Sequence, residues 1–331
     1  MASGPPPRAS SASPFRIVFM GTPSLAAHIL KRLLEAPDSP GQVVAVVTRP
    51  DQPRGRGLKL RPSEVGALAA EYGLPVLKPT KIRTAEFLDS LRSFKPDLLV
   101  VAAYGRILPP AVLEVASLMP INVHASLLPR HRGAAPIQGA LLTGDTIAGV
   151  TIMRMVEQMD AGPILLQSEI PMAPGETQAS LHDKLAELGA QALLEALRTL
   201  ALGELHETSQ NEDQATYTAL VKREDARIAW SLPAGRIERM VRAYDPWPVA
   251  FSELNGEELR VYRATVEADA AERTTPAPGT IVDVKGPPLV QCGEGRLRLI
   301  EVQAAGRKRM KGDDFARGRR LAVGDRLGNA S

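Results

Sequence analysis

Hydrophobic positions along this chain follow two rhythms in turn. Nearly unbroken apolar runs at 15–20, 43–48, 97–103, 120–124, 149–155 and 164–170 read as buried strands, with a shorter extended piece around Val76. Between them the apolar residues fall back to helical spacing. Thr22-Pro23 opens a helix reaching about Leu34, and further helical stretches are predicted at 63–72, 84–94, 110–117 and 177–200. Strands alternating with helices call for right-handed crossovers between strands that run the same way. The pattern predicts an α/β fold whose mainly parallel sheet carries helices on both faces.

Past residue 203 the rhythm changes. The stretch 203–218 is dominated by polar residues and reads as a linker. One helix follows at 233–244, with Ile237, Met240, Val241 and Tyr244 at helical spacing on its inner side. Short alternating stretches then recur near 249–253, 258–263, 279–284, 288–292 and 296–302, separated by Gly and Pro turns. Short strands with frequent turns predict a small C-terminal β-barrel. The expected organisation is a disordered tail at 1–14, an α/β domain at 15–203, a linker at 204–220 and a β domain at 221–331.

Composition narrows the picture. A chain of 331 residues that is 44% hydrophobic can bury two moderate cores, and 23% charged residues suits a folded body. Cys292 is the sole cysteine, which excludes an internal disulfide, a Cys-rich zinc site and an iron–sulfur cluster. No apolar run approaches the ~18 residues needed to cross a bilayer, so no membrane is expected as a partner. Residues 1–14 lack the apolar core of a secretory signal, and a cytoplasmic location is expected.

The net charge is only +3, but it is unevenly spread. Residues 296–326 hold ten Lys/Arg against four Asp/Glu, and 49–61 hold five cations against one anion. Two such clusters favour phosphate contacts, with Arg54, Arg56 and Lys59 in the first and Arg307, Lys308, Arg309 and Lys311 in the second. Familiar nucleotide motifs are missing. Met20-Gly21-Thr22-Pro23 has one glycine where a dinucleotide fingerprint needs several, and Pro23 removes a backbone donor. There is no phosphate-binding G-x-x-x-x-G-K-[ST] loop. His28, His131, His182 and His206 show no metal-ligand spacing, and no metal is expected.

The most informative segment is 122–136, where Asn122-x-His124 ends a strand and Ser126-Leu127-Leu128-Pro129 and Arg132-Gly133-Ala134-Ala135-Pro136 follow. Asn122 and His124 alternate, so both side chains face the same way. A carboxamide and an imidazole at a strand's carboxyl end stand where open α/β sheets bind ligands, and both can donate to an oxyanion. Asp160 falls in the loop after the next predicted strand and can return beside His124 to orient the imidazole or a water. As a residue before Ala161-Gly162, it also suits a simple turn.

Together these residues, with Asp160 placed 36 positions after His124, resemble the folate-dependent formyltransferases. The resemblance spans the chain beyond its first 14 residues and leans toward the branch acting on charged initiator tRNA. It implies a Rossmann-like catalytic domain followed by an oligonucleotide-binding-like barrel. The implied reaction moves a formyl group from 10-formyltetrahydrofolate to the α-amine of an aminoacylated tRNA, with no metal. Asn122, His124 and Asp160 are then the catalytic set. Ser126, Leu127, Leu128 and Pro129 would hold the folate, with 98–105 and 158–162 walling its pterin. The two basic clusters would meet the tRNA, and the protein is expected to act as a monomer. The alternative implied by the same family is a formyltransferase for an amino-sugar nucleotide.

Overall fold

The computed structural model describes residues 13–54, 59–268 and 276–328. Outside the described residues fall 1–12 of the expected tail, and Arg56 with the rest of 55–58. The Arg54 and Lys59 side chains are likewise outside the description. The chain divides into two compact units. One comprises Met1–Pro136, Ile147–Pro171 and His182–Ala219; the other comprises Ile137–Thr146, Met172–Leu181 and Leu220–Ser331.

The strands of the first unit, in chain order, are β1 (Phe15–Gly21), β2 (Gly41–Val47), β3 (Gln52–Arg54), β4 (Lys59–Arg61), β5 (Val76–Leu77), β6 (Leu98–Ala102), β7 (Met119–His124), β8 (Arg132–Gly133), β9 (Ile147–Arg154), β10 (Ile164–Pro171) and β11 (Tyr217–Thr218). Seven of them form one sheet in the order β10-β9-β7-β6-β1-β2-β5. Five neighbours, β5 to β7 along that order, run parallel. β9 and β10 are antiparallel additions at one edge. The parallel majority matches the sequence pattern, and the pair at this edge is a hairpin. Antiparallel neighbours need only a short loop, so no helix intervenes between β9 and β10.

Helices α1 (Ser24–Glu35), α2 (Glu64–Glu71), α3 (Ala85–Ser93) and α4 (Pro110–Leu113) lie between the parallel strands. Alternation along β1 sends Val18 and Met20 into a core shared with Phe87 and Leu91 of α3 and Val112 of α4. On the other face the Ala26 methyl of α1 stands so near β1 that a Cβ on Gly21 would come within 2.6 Å of it. α4 is shorter than the predicted 110–117. The amides of Ser117 and Leu118 donate to the carbonyls of Pro96 and Asp97, which turns the chain into β7. The strand order reverses between β1 and β6, the kind of switch point at which such sheets open a crevice beyond their carboxyl ends.

Helices α5 (Pro136–Thr143) and α6 (Gln178–Leu202) precede the remaining elements. In the second unit β12 (Phe251–Leu254), β13 (Glu257–Glu267), β14 (Ile281–Asp283), β15 (Leu289–Gln291), β16 (Arg296–Ala304) and β17 (Met310–Lys311) form an antiparallel sheet ordered β12-β13-β16-β15-β14, with β17 on β16. Leu327 bridges to Leu254 and Arg326 to Thr280, so one segment links both edges and curls the sheet into a small barrel. α7 (Ala234–Ala243) sends Ile237 and Val241 into the barrel core beside Val261 and Leu299, and α8 (Gly312–Arg319) adds Phe315.

Candidate active site

β7 lies between β6 and β9, so its last residues are buried although two of them are polar. Asn122 is 9% exposed and its carboxamide has no protein partner among the described residues. An amide that no protein group uses, at a strand end of the kind where such sheets bind ligands, is free to bond one. His124 is 6% exposed, and its Nε2 lies 3.0 Å from the backbone carbonyl of His131. A carbonyl only accepts, so Nε2 carries the proton and Nδ1 is the nitrogen left to take or give one. Nδ1 faces Asp160 Oδ2 at 3.8 Å, an ion-pair separation longer than a hydrogen bond.

Asp160 is held from its other side. Its Oδ2 accepts from the Gly133 amide at 2.8 Å. Its backbone is left-handed, with φ of 51°, a conformation few residues other than glycine adopt. Gly133 approaches the 217–218 strand so closely that a Cβ there would sit 2.4 Å from the Thr218 carbonyl oxygen. The Arg-Gly-Ala-Ala-Pro segment therefore needs its glycine for β8 to pair with β11.

The expected folate-binding residues form the loop that leaves β7. Ser126 donates from Oγ to the Arg130 carbonyl at 2.6 Å. Thr151 of β9, fully buried, ties down the rest. Its hydroxyl donates to the Ser126 carbonyl at 2.7 Å and accepts from the Leu128 amide at 3.0 Å. Gln167 of β10 donates to the Leu128 carbonyl and to the Thr151 hydroxyl, each at 2.9 Å. Leu127 packs where a Cβ on Gly149 would come within 2.5 Å of its Cδ2. The Pro129 carbonyl accepts from the Thr216 amide at 3.2 Å. Of the stretch expected to wall a pterin, Leu98–Ala102 is buried strand. Only Ala103, Tyr104 and Gly105 follow beyond its end. Tyr104 is itself buried, and burial pushes its phenol up from 10.0.

Sequence reasoning missed the group behind both loops. Arg132 has no exposed surface, yet its guanidinium is fully engaged. Nη1 and Nη2 donate to the two Glu212 carboxylate oxygens at 2.8 and 2.7 Å, and Nη1 also reaches the Tyr217 hydroxyl at 3.1 Å. The fork raises the affinity of Arg132 for its proton and lowers the Glu212 carboxyl below its usual 4.5. Nε and Nη2 both donate to Gln210 Oε1. A basic residue in a Gly-containing loop looks solvated in sequence, and only its pairing across the fold reveals otherwise.

The basic clusters are only partly free. Arg309 lies over the Tyr262 ring, 3.3 Å from its centroid, and pairs with Asp245 at 3.0 Å. Arg307, Lys308 and Lys311 are exposed. β3 and β4 pair as a short ribbon around the undescribed 55–58. Among the described residues no group of three His, Cys, Asp or Glu side chains stands close enough to hold a metal, and no helix is long and apolar enough to cross a membrane.

An α/β sheet that gathers Asn122, His124 and Asp160 at a strand end can serve acyl-group transfer, since an amide and an imidazole there can donate to an oxyanion. Residues 15–197 match the formyl transferase family model and 220–320 match the formyl transferase C-terminal domain model, and the chain belongs to the formyl transferase family. Among curated relatives, methionyl-tRNA formyltransferase of Pseudomonas fluorescens is 49% identical over 96% of this chain and 98% of its own. The enzyme of the same name from Desulfotalea psychrophila is 47% identical over 93% of this chain and 94% of its own. A crystal structure of an N-formyltransferase from Helicobacter canadensis, in complex with folinic acid and dTDP-3-aminofucose, shares the fold with a TM-score of 0.63. Its identity is 15%, over 86% of this chain and 99% of that one.

Proposed function

We propose that this protein transfers the formyl group of 10-formyltetrahydrofolate to the α-amine of methionyl-tRNA, the initiator species, yielding N-formylmethionyl-tRNA. Near-full-length identity of 49% to methionyl-tRNA formyltransferase supports the substrate pair. The observation that carries the mechanism is the Asn122 amide, without a protein partner among the described residues, on the same strand end as a His124 whose Nε2 is committed to a carbonyl. The neutral amine attacks the formyl carbon, a C–N bond forms, and the carbonyl electrons move onto oxygen. Asn122 Nδ2–H and a protonated His124 Nδ1–H donate to that oxyanion, each such donor being worth about 10²–10³ in rate. The Asp160 carboxylate stands across from Nδ1 and balances the imidazolium. Collapse breaks the bond to N10, and the proton shed by the attacking amine ends on N10 by way of this pair. No electrons are exchanged with a redox partner.

Ser126, Leu127, Leu128 and Pro129 hold the folate in this reading, on the backbone braced by Thr151 and Gln167. Residues 15–203 form the catalytic domain and 204–220 join it to a tRNA-binding domain at 221–331. Arg54, Arg56 and Lys59, with Arg307, Lys308, Arg309 and Lys311, meet the tRNA phosphates. The enzyme acts in the cytoplasm as a monomer. Incubation with 10-formyltetrahydrofolate and charged initiator tRNA, charged elongator tRNA or an amino-sugar nucleotide tests the assignment. Formylation of the initiator alone is the expected result, and formylation of the sugar amine alone overturns it.

A further inference from the structure

The polar stretch that reads as a linker is bonded to both halves of the proposed catalytic group. Gln210 uses its whole amide. Its Oε1 accepts from Arg132 Nε at 3.1 Å and Nη2 at 2.9 Å. Its Nε2 donates to the Asp160 carbonyl at 2.8 Å and the Gly162 carbonyl at 2.7 Å. Six residues on, Thr216 grips the other loop. Its Oγ1 accepts from the His131 amide at 2.8 Å, its carbonyl from the Arg132 amide at 2.8 Å, and its amide donates to Pro129.

Both gripped points are left-handed non-glycine residues. His131 has φ of 59° and Asp160 has φ of 51°. Such backbone is disfavoured for a residue with a Cβ and persists only where surroundings hold it. His131 contributes the carbonyl that commits His124 Nε2, and Asp160 contributes the carboxylate that faces Nδ1. One segment therefore constrains the tautomer of the imidazole and the place of its counter-charge.

We propose that 208–218 is a positioning strap for catalysis, with Gln210 its principal positioning residue and Thr216 its second. The inference rests on the reaction proposed above. Gln210 touches no reacting atom; it acts through Asp160 and, by way of Arg132, through the loop bearing His131. Its two edges do different work. The oxygen edge satisfies a buried guanidinium, and the nitrogen edge fixes the Asp160 loop.

Gln210→Glu separates the edges, because a carboxylate can still accept from Arg132 but cannot donate to the Asp160 and Gly162 carbonyls. Gln210→Leu removes both, and Thr216→Val removes only the acceptor for the His131 amide. Each variant is assayed for kcat and KM with 10-formyltetrahydrofolate and charged initiator tRNA. Tetrahydrofolate binding and thermal unfolding are measured alongside, with nitrogen NMR of the His124 ring. Gln210→Glu is expected to lose about 10–10²-fold in kcat, the scale of an ångström-level misplacement, with both KM values within about twofold. Thr216→Val is expected to mix the His124 tautomers, so the two ring nitrogens move toward a common shift.

Wild-type kcat in a folded Gln210→Glu enzyme overturns the strap, and so does a kcat loss that only parallels a fall in thermal stability and folate binding. Should Gln210→Leu fail to fold, Gln210→Glu and Thr216→Val still decide. A His124→Ala enzyme run in parallel separates the two ways of failing. If it is inactive while the strap variants turn over normally, the strap alone is wrong. If it turns over normally, the reaction mechanism falls and the strap falls with it.

Discussion

His124 has one ring nitrogen committed to a carbonyl and the other facing a carboxylate, while Asn122 presents an amide that no protein group uses among the described residues. If that arrangement serves an oxyanion, His124→Ala and Asn122→Ala each lower kcat by at least about 10²-fold while tetrahydrofolate binding stays within a few fold. Asp160→Asn is the sharper substitution. An amide oxygen can still accept from the Gly133 amide, so the loop keeps its anchor and only the charge opposite Nδ1 is lost. A comparable loss of kcat is expected, read in single-turnover assays with folded protein. Normal turnover in His124→Ala would sink the mechanism.

At the scale of elements, the antiparallel hairpin of β9 and β10 does what a crossover could not. It lays Thr151 opposite His124 and brings Gln167 beside it, so one threonine hydroxyl and one glutamine amide brace the loop after β7. Thr151→Val keeps the volume but leaves the Leu128 amide and the Ser126 carbonyl unpaired. It is expected to cost about 1–3 kcal/mol in urea unfolding and to weaken tetrahydrofolate binding. The strap has its own pH signature. Glu212 titrates below its ordinary 4.5 chiefly because the Arg132 fork hydrogen-bonds its charged form. A depressed carboxylate contributes stability above its unfolded value and loses it as pH falls through the folded one. The difference in Tm between wild type and Glu212→Gln should hold steady above about pH 5 and close on further acidification, as differential scanning calorimetry can follow. A gap that widens in acid contradicts the pairing.

For the whole molecule, chemistry and acceptor recognition should separate. Neutralising Arg307, Lys308, Arg309 and Lys311 together is expected to weaken tRNA binding. It should also flatten the log–log salt dependence by roughly 0.7–0.9 for each phosphate no longer neutralised, with kcat at saturation little changed. Arg309 should contribute least to the slope, because Asp245 and the Tyr262 ring already occupy it. An unchanged slope reduces the basic segment to a solvated face. In the basic segment between β3 and β4 in sequence, Arg56→Ala is expected to impair use of methionyl-tRNA while tetrahydrofolate binding is unaffected. Equal losses in both measurements indicate a structural role instead.

Sequence alone determined most of the elements and their class, but not helices α5 and α8 or the short strands β3, β4, β8, β11 and β17. Burial writes a period of two or of 3.6 into neighbouring residues, and that signal survives without knowledge of partners. The change from alternating βα units to short strands after residue 203, and the clustering of Asn122, His124 and the 126–136 loop, are local in the same sense. Periodicity could not say which way β9 and β10 run, since a strand's alternation is the same in either direction. It also ran α4 four residues too far, because the carbonyls of Pro96 and Asp97 that capture the chain belong to an earlier segment. Tertiary structure alone decided the role of the polar 208–218 stretch. Arg132 meets Glu212 across 80 residues and Gln210 meets Asp160 across 50, and each pairing depends on where two loops arrive in space. A hydrogen bond leaves no periodic trace, so a buried arginine and a fully used glutamine look in sequence like any other polar residues at the surface.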